Sequence, residues 1–181
     1  MDSALKLKIV LTVGLFVATA LCILLTIAAK EKFRLGDVNF GRKATYVAAD
    51  ITPLMRGNSP TKIDPRAARF IAPILFPIDL LLLACLGGFG AMTSLLLGEP
   101  ARVPAPWIPL LVVVPVVYMA CDLAENCLLT RVLLLPSADA VTDTMVDVVR
   151  AATKAKFLFL YAGTVQLAGL SAFAVYFHYR P

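Results

Sequence analysis

Histidine is almost absent from this chain: His178 is the single example in 181 residues. Haem ligation by two histidines of one chain is thereby excluded. Cysteine is sparse too, with Cys22, Cys85, Cys121 and Cys127 and no C-x-x-C pair among them. All four fall in apolar runs, where a thiol packs as a small hydrophobe. A zinc or thiol-redox centre would call for closer pairs or histidine partners. There is no P-loop, no G-x-S-x-G and no H-E-x-x-H. The length suits one domain and leaves no room for a separate soluble catalytic module. Neither a metal nor a cofactor is expected.

What the chain has in excess is apolar residues: 60% are hydrophobic, and mean hydropathy is +0.83, against about 45–50% apolar in a soluble domain. The excess sits in four blocks, each long enough to cross a bilayer core of roughly 30 Å at about 20 residues per helix. The expected fold is all-α: four transmembrane helices in one bundle, the fourth extended beyond the membrane. The formal charge of +5 reads as basic residues at helix ends facing anionic lipid. Nucleic acid is not an expected partner, because no basic segment is interleaved with aromatics.

The first span is expected over residues 9–29, between Lys6 and Lys8 and a second group, Lys30, Lys32 and Arg34. Its apolar stretch exceeds a usual signal-peptide core, so a retained helix is expected. The loop 30–69 carries nine basic residues: Lys30, Lys32, Arg34, Arg42, Lys43, Arg56, Lys62, Arg66 and Arg69. Phe33, Phe40, Tyr46, Ile51, Leu54 and Met55 are scattered among them, a mixture that suits a segment lying on the membrane surface. Lys30, Lys32, Arg34, Arg42, Lys43, Arg66 and Arg69 are the candidate lipid head-group contacts, and bound phospholipid is expected. Gly57-Asn58-Ser59-Pro60 reads as a turn, and Asp64-Pro65 as an N-cap followed by proline at the first helical position.

The second span is expected over 70–97, with Pro73, Pro77 and Asp79 inside it, and the third over 107–135, with Trp107 at the interface and Pro109 and Pro115 bending it. Small residues on the spans (Gly87, Gly88, Gly90 and Ala91, then Ala162 and Gly163) permit close helix packing or contact with another subunit. Ser137 is the expected cap of an amphipathic helix over 138–156, whose Asp143, Asp147, Arg150 and Lys154 form one charged stripe at i, i+4, i+7 and i+11. The last span covers 157–177. One continuous helix is the simplest picture; a break near Lys156 is the alternative. The basic residues place loop 30–69 and segment 136–156 on the cytosolic or matrix side, with both termini opposite.

Charges inside spans are costly and face the bundle interior. Tyr118, Asp122, Glu125 and Asn126 share one face of the third span, at i, i+4, i+7 and i+8. Asp79 lies 18 residues from Leu97, Glu125 18 from Trp107, and Lys156 21 from Phe177. All three therefore fall about 27–32 Å from the outer ends of their spans, in one layer near the inner edge of the hydrocarbon. A buried polar cluster of Asp79, Tyr118, Asp122, Glu125, Asn126, Thr153 and Lys156 follows, with Lys156 expected to pair with Glu125 or Asp122.

Three local patterns, Ile51-Thr52-Pro53-Leu54, Asp122-x-x-Glu125-Asn126 and Thr153-x-x-Lys156-Phe157, resemble those of an uncharacterised family of small four-helix integral membrane proteins. The resemblance implies the same four-helix layout and the same polar residues, and no activity. Phe76-Pro77-x-Asp79 departs from it, since the family's acid precedes the Phe-Pro. Two functions compete. The first is a non-enzymatic membrane subunit or scaffold that packs in a larger membrane complex, touches lipid through its basic inner surface and uses the cluster to fix helix register. The second is a membrane enzyme or carrier for a lipid or apolar substrate, with Glu125 and Asp122 as acid–base or ion-binding groups and Lys156 as their partner. A cavity lined by these residues would distinguish the second from the first.

Overall fold

The computed structural model describes residues 3–35 and 47–179. Phe40, Arg42, Lys43 and Tyr46 lie outside the described residues. The described chain is all-α: α1 (Ser3–Lys32), α2 (Ala48–Ile51), α3 (Pro65–Arg69), α4 (Leu80–Gly98), α5 (Val113–Leu133) and α6 (Asp143–Tyr179). Short 3₁₀ stretches occupy Thr52–Leu54, Ala105–Val112 and Ala138–Ala140. Four segments are long and apolar enough to cross a membrane: Leu5–Lys32, Pro65–Gly98, Ala105–Leu133 and Asp143–Tyr179. The protein is a multi-pass membrane protein built as a four-helix bundle. α4 packs against α1, α5 and α6, and α5 pairs closely with α6. At Gly87 an added Cβ would collide with the Met119 side chain, so α4 and α5 approach where only glycine fits.

The second span is not one smooth helix. Its helical start is at Pro65, where Asp64 caps by accepting from Arg66 N at 2.7 Å. Between Phe70 and Asp79 the helix is interrupted, with Ala72 (φ −128°, ψ 118°) and Phe76 (φ −135°, ψ 118°) extended. Both precede a proline, whose ring disfavours the α conformation in the residue before it. Two prolines four residues apart thus unwind what the hydropathy pattern shows as an unbroken span.

The end of the bundle carrying residues 47–69 and the α5–α6 connection, called the inner end below, holds the main apolar core. Leu35, Ile51, Leu54, Met55, Phe70, Ile74, Leu129, Leu133, Val146 and Val149 are buried together there. Instead of presenting Ile51, Leu54 and Met55 to the membrane surface, the loop buries them under the bundle. Asn58 fastens it: its amide donates to the carbonyls of Leu133 (3.0 Å) and Leu135 (2.7 Å), and its Oδ1 accepts from Asp64 N at 2.6 Å. Carbonyls at the end of α5 have no helical donors of their own, so a turn residue from 75 positions earlier supplies them. Where α1 ends, Arg34 takes φ 54° and Leu35 N donates to Lys30 O at 2.8 Å. That reversal drives Leu35 into the core.

The fourth helix runs unbroken through Lys156 and begins at Asp143. Ser137 does not cap it; residues 138–140 form a separate turn, and Thr142 Oγ1 accepts from Met145 N at 3.3 Å. Within the charged stripe, Arg150 and Asp147 pair at 2.7 Å.

Candidate functional site

Three elements deliver the polar residues to one place. α5 presents Tyr118, Asp122, Glu125 and Asn126 along one buried face. The unwound segment ends at Asp79, and α6 contributes Thr153 and Lys156. Lys156 Nζ lies 2.8 Å from Asp122 Oδ1 and 2.5 Å from Glu125 Oε2, so one ammonium bridges two carboxylates. The three side chains are 12%, 5% and 2% exposed respectively. In so dry a setting neither partner can be removed cheaply, because the remaining charge would stay buried and unpaired.

Neighbouring groups hold the pair from outside. Thr153 Oγ1 donates to Glu125 Oε1 at 2.7 Å, and Tyr118 donates to Asp122 Oδ2 at 3.2 Å. Asn126 Nδ2 donates to Asp79 Oδ2 at 2.6 Å. Asp79 is thus hydrogen-bonded to an amide, while Lys156 and Lys30 act on it through space. The structure brings together all seven residues of the expected cluster, in two linked sets: Lys156–Asp122–Glu125 with Tyr118 and Thr153, and Asp79 with Asn126.

The cluster does not close over itself. A half-open cavity of about 190 Å³ adjoins it, lined by Asp79, Tyr118, Asp122, Glu125, Asn126 and Lys156. Apolar walls come from Ile23 on α1 and from Phe70, Ile74 and Leu75 on the unwound segment. Lys30, at the end of α1, completes the lining. The cavity therefore carries three carboxylates against two ammonium groups, one carboxylate in excess. Among the described residues, no group of three His, Cys, Asp or Glu side chains has the arrangement to hold a metal ion.

Among the described residues, the other head-group candidates do not line this cavity. Lys32 and Arg69 both flank the Phe33 ring, 5.8 and 6.0 Å from its centroid. Arg34 and Arg66 belong to the same inner end, while Arg42 and Lys43 are outside the described residues.

Two further polar contacts lie on the outer half of the bundle. Gln166 Nε2 donates to Ser94 Oγ at 2.8 Å and to Leu111 O at 2.7 Å. Pro115 has no N–H for the carbonyl four residues before it, which is that of Leu111. Gln166 supplies the missing donor from another helix. The signal was present in the sequence, as a proline inside a span together with a lone amide in another. Nothing in the spacing alone joined them.

Comparison with protein-family models, curated proteins and solved structures returns no match.

Proposed function

We propose that this multi-pass membrane protein is a binding protein or carrier for a small cationic ligand, an amine above all, taken up from the inner end. The observation that carries this reading is the half-open cavity, whose lining holds one carboxylate in excess. We assign that role to Asp79. Lys156 is committed to Asp122 and Glu125, whereas Asp79 takes its hydrogen bond from the Asn126 amide, with Lys30 and Lys156 acting on it through space. A purely structural cluster gains nothing from an unbalanced acid beside a void, since each buried charge must be compensated.

The broken second span supports the same reading. Non-helical backbone at membrane depth is tolerated only where protein buries it or where it lines a water-filled cavity. Here Phe70, Ile74, Leu75 and Asp79, all within the broken stretch, line the cavity. Glu125 and Asp122 then act as the electrostatic floor and Lys156 as the group that sets their charge. Acid–base chemistry is not needed for this role.

The test uses purified protein in mild detergent. Butylammonium should raise the thermal unfolding temperature, and butyrate should not. Asp79→Asn keeps an acceptor oxygen for Asn126 and leaves the Lys156 pairs intact, and it should abolish the butylammonium shift. An unchanged shift in Asp79→Asn, or none in the wild type, overturns the reading.

A second reading, a non-enzymatic subunit of a larger membrane complex, is favoured by the large apolar face left on α6, where Leu158, Tyr161, Val165 and Phe173 are exposed. Co-purification of a stoichiometric membrane partner would support it. In either case the basic inner end, with Lys30, Lys32, Arg34, Arg66 and Arg69, is proposed to face anionic lipid on the cytosolic or matrix side.

A further inference from the structure

A second void lies outward of the first. It measures about 150 Å³ and lies between α4, α5 and α6, lined by Leu86, Phe89, Gly90, Phe159, Gly163 and Leu167 among others. Tyr118 lines both voids, so its ring is a wall common to the two. Two glycines face this space, where an added Cβ would meet Pro115 at 3.5 Å from Gly90 and Val114 at 3.7 Å from Gly163, ordinary contact distances. Along α6, Gly163 lies seven residues beyond Lys156, about 10 Å toward the outer end.

The voids are thus stacked along the bundle axis, the charged one innermost and the apolar one toward the bilayer centre. That is the polarity order of an amphiphile lying in the inner leaflet, with its head at the interface and its chain toward the midplane. We infer that the ligand is an amine-headed amphiphile, with the ammonium group at Asp79 in the inner cavity and the hydrocarbon chain running past Tyr118 into the outer void. This rests on the proposed cation-binding role and adds the apolar half of the ligand. Charge selects the head, because the inner lining has a carboxylate in excess. Shape selects the chain, because the outer void is bounded mainly by apolar residues, with Ser94, Tyr118 and Thr164 the hydroxyl-bearing ones.

The test is photolabelling in phosphatidylcholine nanodiscs with a dodecylamine that carries a diazirine near its chain end, the labelled residues being mapped by mass spectrometry. The expected result is label on Leu86, Phe89, Phe159 and Leu167, several-fold above that on Leu158 and Tyr161, which face outward from α6. Asp79→Asn should remove the excess. So should Thr164→Phe, which fills the mouth of the outer void from an exposed position and leaves the core untouched. Excess butylammonium should compete, and the corresponding dodecanoate probe should not label the pocket. Label confined to Leu158 and Tyr161, with the butylammonium stabilisation intact, overturns the amphiphile inference and leaves the cation site standing. Pocket labelling equal in Asp79→Asn and wild type overturns the assignment of the head and the proposed function with it.

Discussion

The inner and outer halves of this bundle are held together by different physics. At the inner end, leucine, isoleucine, valine and methionine side chains from the loop, α5 and α6 are buried against one another, as in a soluble protein. In the outer half the large apolar residues of α1 and α6 point away from the bundle, and the helices meet through Gly87, Gly90 and Gly163 and through the Gln166–Ser94–Leu111 contact. Lipid tails are as apolar as leucine, so burial gives the outer half no hydrophobic drive; close packing and interhelical hydrogen bonds take its place. The inner end instead buries its apolar side chains in a packed core, the arrangement that contact with water favours. The charged cavity lies at the seam between these two regimes.

The contrast can be tested by substitution, each effect being measured as unfolding free energy in mild detergent. Lys156→Met should be the most damaging at about 3–5 kcal/mol, because it strands Asp122 and Glu125 in a buried site. Adding Asp122→Asn and Glu125→Gln should recover much of the loss; a triple variant no better than the single one would sink the ion-pair account. Leu133→Ala, at a fully buried inner position, should cost about 2–5 kcal/mol. Leu110→Ala, on the exposed outer surface, should stay within about 0.5 kcal/mol. Similar losses at the two leucines would erase the distinction between the halves.

Asn58→Ala leaves the Leu133 and Leu135 carbonyls without that donor and should cost about 1–3 kcal/mol. Its second readout is faster proteolysis of the loop between α2 and α3. Gln166→Leu should be milder than Asn58→Ala, at about 0.6–1.7 kcal/mol, the range of interhelical hydrogen bonds in membranes. A loss above that of Asn58→Ala would mean that the outer half depends on this one contact more than its packing implies.

The four spans were legible because hydropathy over 18 or more residues is a strong signal. The polar layer was legible because depth along a helix is simple arithmetic: Asp79, Glu125 and Lys156 come out level, and the lysine does meet Glu125, with Asp122 one turn away. The unwinding at Ala72 and Phe76 was less visible, because the apolar run continues through Pro73 and Pro77 and masks their effect on the preceding residues. The burial of Ile51, Leu54 and Met55 was missed for a related reason. Basic residues surround them, and local composition resembles a surface segment whether its apolar members face lipid or protein. Ser137 has the side chain of a helix cap, but Thr142 stands next to the first turn of α6. The cavity itself belongs to no local pattern, since it forms where α1, the broken segment, α5 and α6 fail to fill the space between them.

α6 has 37 residues and no hinge, which makes it a stiff rod of about 55 Å. Its outer part is apolar enough to cross a membrane, and Val146 and Val149 are wedged in the inner core. A bilayer of different thickness changes the tilt of such a rod, and with no kink to absorb the motion the change is carried along its whole length. Any change of tilt would therefore reach Lys156 and the Asp122 and Glu125 side chains that it pairs with.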